Sequence, residues 1–249
     1  MTIVTTADHP HLHTQAGEAF RERWPEFIFH DPVPARLMPQ VHSSFPDYNV
    51  LLLEGERALA GGWGVTFAWD GTFADLPDGY GGALVRAVTG RETGTRPNTL
   101  CFMAASVAVG ADRRGLAAEV LGALTGRARA AGLTHVVAPL RPTWKHRYPQ
   151  VPMAEYARWQ RGDGLSIDPW IRTHQRLGAT ILGPAPRSMV IEGRVADWEA
   201  WTEMVFPVTG LYFVPDALGW VHIDREEDRG LYVEENLWVQ HPALTGPAR

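Results

Sequence analysis

A single cysteine in 249 residues has no partner for an internal disulfide and supports no cysteine-based zinc site. That residue, Cys101, lies inside an apolar run and reads as a core side chain rather than a nucleophile. No apolar run reaches the ~18 residues of a membrane span, and no basic-then-apolar leader opens the chain, so a cytoplasmic protein with no membrane partner is expected. Positive charge is also short: 28 Asp and Glu against 23 Lys and Arg leave a net charge of −5, which speaks against a nucleic-acid partner. No repeat, low-complexity tract or linker divides the sequence, so one domain over residues 1–249 is expected. The remainder, 45% hydrophobic and 20% charged, is that of an ordinary globular chain long enough for a substantial core.

Residues 100–140 carry the strongest pattern. Residues 100–109 are continuously small and apolar, as in a strand buried on both faces. Gly110, Asp112, Arg113, Arg114 and Gly115 interrupt the run. Leu116, Val120, Leu121 and Leu124 then recur at helical spacing as far as Gly132, a C-terminal stop signal, and residues 134–140 form a second apolar strand. Strand, helix, strand implies a parallel pair. A helix N-terminus presents unpaired backbone N–H groups and a favourable dipole, Gly115 admits close approach, and Arg113 and Arg114 add donors. A pyrophosphate fits such a turn; the alternative is a solvated basic turn between two core elements.

These residues resemble a family. Val107, Ala108 and Val109, followed by Arg113, Arg114, Gly115, Leu116 and Ala117, are similar to the acyl-coenzyme A pyrophosphate loop of the GCN5-related N-acetyltransferases, Gln/Arg-x-x-Gly-x-Gly/Ala, with Asp112 at the leading position. Residues 170–179 resemble that family's Ala-x-x-Leu-Tyr-x-x-x-Gly-Phe helix end, with His174 on the tyrosine position and Ala179 on the phenylalanine. The resemblance implies an α/β (α+β) fold: a mixed, largely antiparallel sheet with a central splayed parallel pair, flanked by helices. It implies a core over about 48–191, an N-terminal helical cover over 1–47 and a β-rich C-terminal extension over 192–249.

The rest of the chain is read around that core. Two helices are expected at 14–27 and 35–44, broken by Asp31-Pro32-Val33-Pro34. His9, His11 and His13 read as a frayed polar end rather than a metal site. Residues 48–53 and 57–67 form a hairpin, with Gly61, Gly62 and Gly64 marking a bulge or a close approach. A short helix at 82–89 and a polar connection at 91–98, a lid candidate, follow. Arg141, Lys145 and Arg147 form a basic segment that either holds a phosphate, a carboxylate or an acidic carrier-protein surface, or lies solvated and anchored by Trp144 and Tyr148. Residues 153–160 look helical, Asp168 caps the second motif helix ahead of Pro169, and Asp197 caps a short one. Strands are expected at 180–182, 187–191, 211–214, 220–224 and 231–240.

The resemblance also implies the chemistry. The donor is acetyl-coenzyme A or another acyl-coenzyme A, or the phosphopantetheine of an acyl carrier protein, and the acceptor is a small-molecule amine that attacks directly; no metal takes part. Backbone N–H groups at residues 106–109 hold the carbonyl and the pantetheine arm, residues 113–117 the pyrophosphate. His174 protonates the leaving thiolate, with a core-satisfied histidine as the alternative reading. Ser43, Phe45 and Tyr48 are pocket-wall candidates, and Glu155, Asp163, His146 and Glu234 are candidate bases. A monomer or homodimer is expected. A non-catalytic thioester sensor, or hydrolysis or decarboxylation on the same fold, are the alternatives.

Overall fold

The computed structural model describes residues 1–12, 17, 21, 24–111 and 115–244. Most of the helix expected at 14–27, together with His13, Asp112, Arg113 and Arg114, lies outside the described residues. In chain order the elements are β1 (Thr2–Thr5), α1 (Pro32–Ser44), β2 (Asn49–Glu54), β3 (Arg57–Phe67), α2 (Gly79–Glu92), β4 (Thr99–Val107), α3 (Leu116–Ala130), β5 (His135–Leu140), α4 (Met153–Tyr156), α5 (Pro169–Arg176), β6 (Thr180–Gly193), α6 (Val195–Thr202), β7 (Gly210–Tyr212), β8 (Val221–Asp224) and β9 (Arg229–Gln240).

The strands form one nine-stranded sheet in the order β1-β2-β3-β4-β5-β9-β8-β7, with β6 on the other side of β9. All its pairings are antiparallel except β4 with β5. The alternating side chains of the strands divide between two helical layers. Leu100, Phe102, Val136 and Ala138 pack with α3, α4 and α5, the periodic residues Leu116, Val120, Leu121 and Leu124 all buried. Cys101, Met103 and Val137 face α1 and α2 on the opposite side. A third cluster gathers Phe27, Trp198, Phe206, Val221 and Tyr232 around α6 and the β7–β8 hairpin. No helix among the described residues is long and apolar enough to cross a membrane.

Several boundaries differ from the sequence reading. The segment expected to break two helices begins one: Asp31 caps α1 by accepting from the Val33 N–H at 2.8 Å, and Pro32 and Pro34 occupy the first turn, where a missing N–H leaves nothing unpaired. Asp197 stands at the third position of α6 and accepts from the Arg194 N–H at 2.9 Å, so Arg194 is the cap residue. The helix expected at 153–160 stops at Tyr156. The connection before β4 is pinned, since the Asn98 side chain bonds both the N–H and the C=O of Trp69. It enters the N-terminal end of β4, the wrong end of the strand for a lid over the motif loop.

The sheet runs past the expected core boundary. The strands expected beyond residue 192 form, but β9 is interior: its residues 237–240 pair with β5 on one side and β6 on the other. A core ending near residue 191 would leave the edge of β5 open. Nor is the N-terminal part wholly helical, because β1 pairs with β2 as an edge strand.

Candidate active site

The parallel pairing of β4 and β5 lasts three residues, Thr99 with His135, Leu100 with Val136 and Cys101 with Val137. Beyond that point β5 continues against β9 as far as Leu140, and β4 against β3 as far as Val107. Met103 is an extra residue in β4, lying between Phe102, opposite Gly64, and Ala104, opposite Trp63. A bulge of this kind bends its strand and here opens a fork between β4 and β5. The glycines of β3 make room for it. A Cβ on Gly62 would stand 2.8 Å from the Ala104 carbonyl oxygen, and one on Gly64 would stand 2.6 Å from that of Cys101.

Among the described residues, the fork leaves one edge of β4 unpaired. Ala108 donates its N–H to the Leu59 carbonyl at 2.9 Å, and Val107 lies opposite Ala60. The alternation of an antiparallel ladder then turns the backbone groups of Val107 and Ala105 into the fork and those of Ser106 toward β3. Residues 104–107 are half-buried, as befits a strand with one free edge. Of the expected run at 106–109, Val107 therefore offers its N–H, while Ala108 has already engaged its own. Val109 lies past the end of the strand, 57% exposed.

Gly115 caps α3 at φ +94, a left-handed conformation that disfavours side chains, and open space lies where its Cβ would stand. Among the described residues no side chain caps α3, its first internal bond is Glu119 N–H to Gly115 carbonyl, and no described residue pairs with the N–H groups of Leu116 and Ala117. The Leu116 side chain is buried in the core, so this residue contributes backbone alone. Free strand edge, open glycine and helix N-terminus together suit an extended amide-bearing arm that ends in a pyrophosphate.

His174 projects from α5, which Asp168 caps as expected. Its ring is fully buried, with Nδ1 2.8 Å from His241 Nε2, while Nε2 is buried with no partner among the described residues. Burial, and then neighbouring His241, hold its pKa well below the ordinary value; burial pushes His241 down to about 4. Both rings are more readily protonated in the unfolded chain, so acid favours unfolding. Stability is full above about pH 6.5 and is lost as the pH falls toward 4. Urea unfolding is expected to show the protein about 4 kcal/mol less stable at pH 5 than at pH 7, about 2 kcal/mol from each ring, and a His241→Phe variant should lose about half of that dependence.

The expected basic cluster does not assemble. Lys145, the chain's one lysine, is buried and donates to the carbonyls of Tyr148 at 2.9 Å and Leu218 at 2.6 Å. Burial depresses its pKa, although Glu235 and Glu234 pull the other way. Arg141 turns inward to Glu234, its Nε 3.1 and 3.0 Å from the two carboxylate oxygens, and donates to the Asp216 carbonyl at 2.6 Å. Arg147 alone is exposed, stacked 4.8 Å over the Trp144 ring. Buried partners have drawn two of the three cations away from any ligand.

The candidate bases fare similarly. Glu234 is fully buried and also accepts from the Tyr232 hydroxyl and the Asn236 amide, each at 2.9 Å. Glu155 and Asp163 are exposed, and His146 bonds the Thr143 carbonyl. Phe45 is a core residue, Ser43 is exposed, and Tyr48 is half-buried between two helical layers. Sequence reasoning missed His241, whose sole mark is its place just after the last strand. It also missed Trp63 and Tyr80, which meet edge-on at 6.2 Å beside Met103 on the α1–α2 face of the sheet. Among the described residues no group of three or more His, Cys, Asp or Glu is arranged to hold a metal ion.

A bulged strand forked from its parallel neighbour, with a glycine-capped helix at its end, is the splayed parallel pair that the sequence resemblance implies. No family model matches the chain. Arginine N-acetyltransferase avaD of Aspergillus versicolor is 32% identical over 248 residues, covering 88% of this chain and 85% of that protein. The chain belongs to the GCN5-related N-acetyltransferase superfamily and is an acyltransferase acting on an amine. The fold is shared at lower identity. The loading GNATL domain of CurA from Lyngbya majuscula matches with a TM-score of 0.55 at 16% identity, over 97% of this chain and 96% of that one. The GphF GNAT-like decarboxylase, solved with isobutyryl-CoA, gives 0.56 at 15% identity, over 98% and 100%.

Proposed function

We propose that the protein transfers an acetyl group from coenzyme A to a small-molecule amine, with arginine or a compound of like chemistry as acceptor. The observation that carries the donor is the unpaired edge of β4 beside the open Gly115 cap. Acyl-coenzyme A supplies the acyl group already activated as a thioester, so the chain has to hold, orient and polarise it. Val107 N–H is the donor to the acyl carbonyl, and the Ala105 and Val107 backbone holds the pantetheine amides. Gly115, Leu116 and Ala117 N–H groups, with Arg113 and Arg114, hold the pyrophosphate. His174 Nε2 keeps a proton for the departing thiolate, a role that suits its buried, unpartnered state. The amine enters from the α1–α2 face, along the half-buried Trp63 and Tyr80. The arginine acceptor is supported by the substrate of the 32% identical relative. The whole chain acts as one domain.

Calorimetric titration with acetyl-coenzyme A and with free coenzyme A tests the donor. Wild type is expected to bind both. Gly115→Ala should lose about 1 kcal/mol of fold stability, since its Cβ meets strain rather than a clash, and about tenfold in affinity. An Arg113→Glu/Arg114→Glu variant should not bind measurably. Thiol release on adding arginine, followed by mass spectrometry of the product, tests the acceptor. Wild type that binds neither ligand sinks the donor assignment; binding with no thiol release across an amine panel sinks the acceptor.

A further inference from the structure

His174 and His241 stand where the fork begins. Both rings pack against Phe102, with centroids 6.4 and 5.2 Å away, and Phe102 is the first residue of β4 beyond its last pair with β5. Trp170 closes one side of His174, edge-on at 4.5 Å. The His241 backbone N–H bonds the Val136 carbonyl at 2.9 Å, which anchors that ring beside β5. His174 is sealed from solvent, while His241 keeps 7% of its surface exposed. The pair therefore runs from the protein surface to a buried nitrogen, His174 Nε2, that has no partner among the described residues.

The chemistry of a neutral imidazole makes this arrangement consequential. Burial disfavours the charged form of either ring, so neither holds an extra proton near neutrality. A neutral ring that gives up its Nε2 proton becomes an imidazolate unless Nδ1 gains a proton in the same step. Among the described residues, the group bonded to His174 Nδ1 is His241 Nε2, at 2.8 Å.

We propose that His241 is a positioning residue that fixes His174 in its Nε2–H tautomer and passes it a proton from solvent as that proton is given to the thiolate. This rests on the reading of His174 as the proton donor. The His174 Nε2–H bond breaks as the S–H bond forms, the His241 Nε2–H bond breaks as His174 Nδ1–H forms, and water protonates His241 Nδ1. One proton moves from solvent to sulfur, and both rings end neutral in the opposite tautomer. After product release a water in the vacated fork gives a proton to His174 Nε2, the His174 Nδ1 proton passes back to His241 Nε2, and water at the surface takes the proton from His241 Nδ1, so both rings regain their starting tautomers.

The test uses the full chain with His241→Gln and His174→Ala variants, and nitrogen-15 NMR of the imidazoles in the free wild-type protein. Glutamine keeps an N–H donor near His174 Nδ1 but cannot relay a proton. The expected spectrum shows both rings neutral at pH 7 with protons on both Nε2 atoms. His241→Gln is expected to reduce kcat about a hundredfold, with donor KM and coenzyme A affinity held within about twofold. Protons on Nδ1 of His174 and His241 in the wild type would overturn the proposal without recourse to any variant. So would wild-type turnover in His241→Gln when His174→Ala is impaired. Full turnover in His174→Ala would instead show that the reading of His174 itself has failed.

Discussion

Arg141→Ala is expected to cost the fold about 3–5 kcal/mol, because it leaves Glu234 buried and without its cation. The Glu234 side chain has no solvent exposure, and Arg141 is the cation bonded to its two oxygens. The Tyr232 and Asn236 donors remain, but two neutral hydrogen bonds do not replace a guanidinium in a setting of low dielectric. The same substitution releases the Asp216 carbonyl, which stands ahead of β8. Urea unfolding measures the loss. An Arg141→Met/Glu234→Gln double variant removes both charges and should recover most of it. A loss below about 1 kcal/mol in Arg141→Ala would mean that water reaches Glu234.

Asp168→Ala should cost about 3–5 kcal/mol for a different reason: one carboxylate holds three pieces of chain. One oxygen caps α5 through the Trp170 and Ile171 N–H groups at 2.9 and 3.1 Å. The other accepts from Trp144 N–H at 2.7 Å and the Tyr156 hydroxyl at 2.9 Å, tying down the segment after β5 and helix α4. Removing the carboxylate forfeits the cap, worth about 1 kcal/mol, orphans the Trp144 N–H and the Tyr156 hydroxyl at about 1–3 kcal/mol each when they are buried, and releases the Thr143 N–H, which bonds the capping oxygen at 3.3 Å. Asp168→Asn should lose about half as much: its oxygen can keep the cap, while its NH2 group faces Trp144 N–H, which cannot accept. Because α5 carries His174, thiol release should fall more in Asp168→Ala than stability at the assay temperature alone explains. Equal unfolding midpoints for the Ala and Asn variants would refute this division of the bonds.

The features that the sequence made legible are those set by neighbours along the chain. Leu116, Val120, Leu121 and Leu124 announced α3 because one helix face has to be buried, and all four are. Asp168 before Pro169 announced a cap, and the β3 glycines announced the bulge beside Met103. What was not legible depends on distant partners. Lys145 sits in a polar-looking run, and the Leu218 carbonyl that draws it inside lies 73 residues away. Arg141 follows a strand as ligand-binding residues often do, yet its partner comes from β9. His241 carries no local signal at all, since its importance consists in one contact with His174 across 67 residues. Asp197 looked like a cap because acidic residues favour helix starts in general; the side-chain geometry assigns it the third position.

The interior place of β9 also bears on how the chain reaches this fold. Val137 pairs with Gln240, so the sheet closes over a loop of roughly a hundred residues whose entropy is lost before the pairing contributes. Until residues 229–240 arrive, β5 and β6 both present open hydrogen-bonding edges built largely from apolar side chains. This pairing therefore has a high contact order, and any chain in which it has not yet formed exposes edges open to strands of other chains.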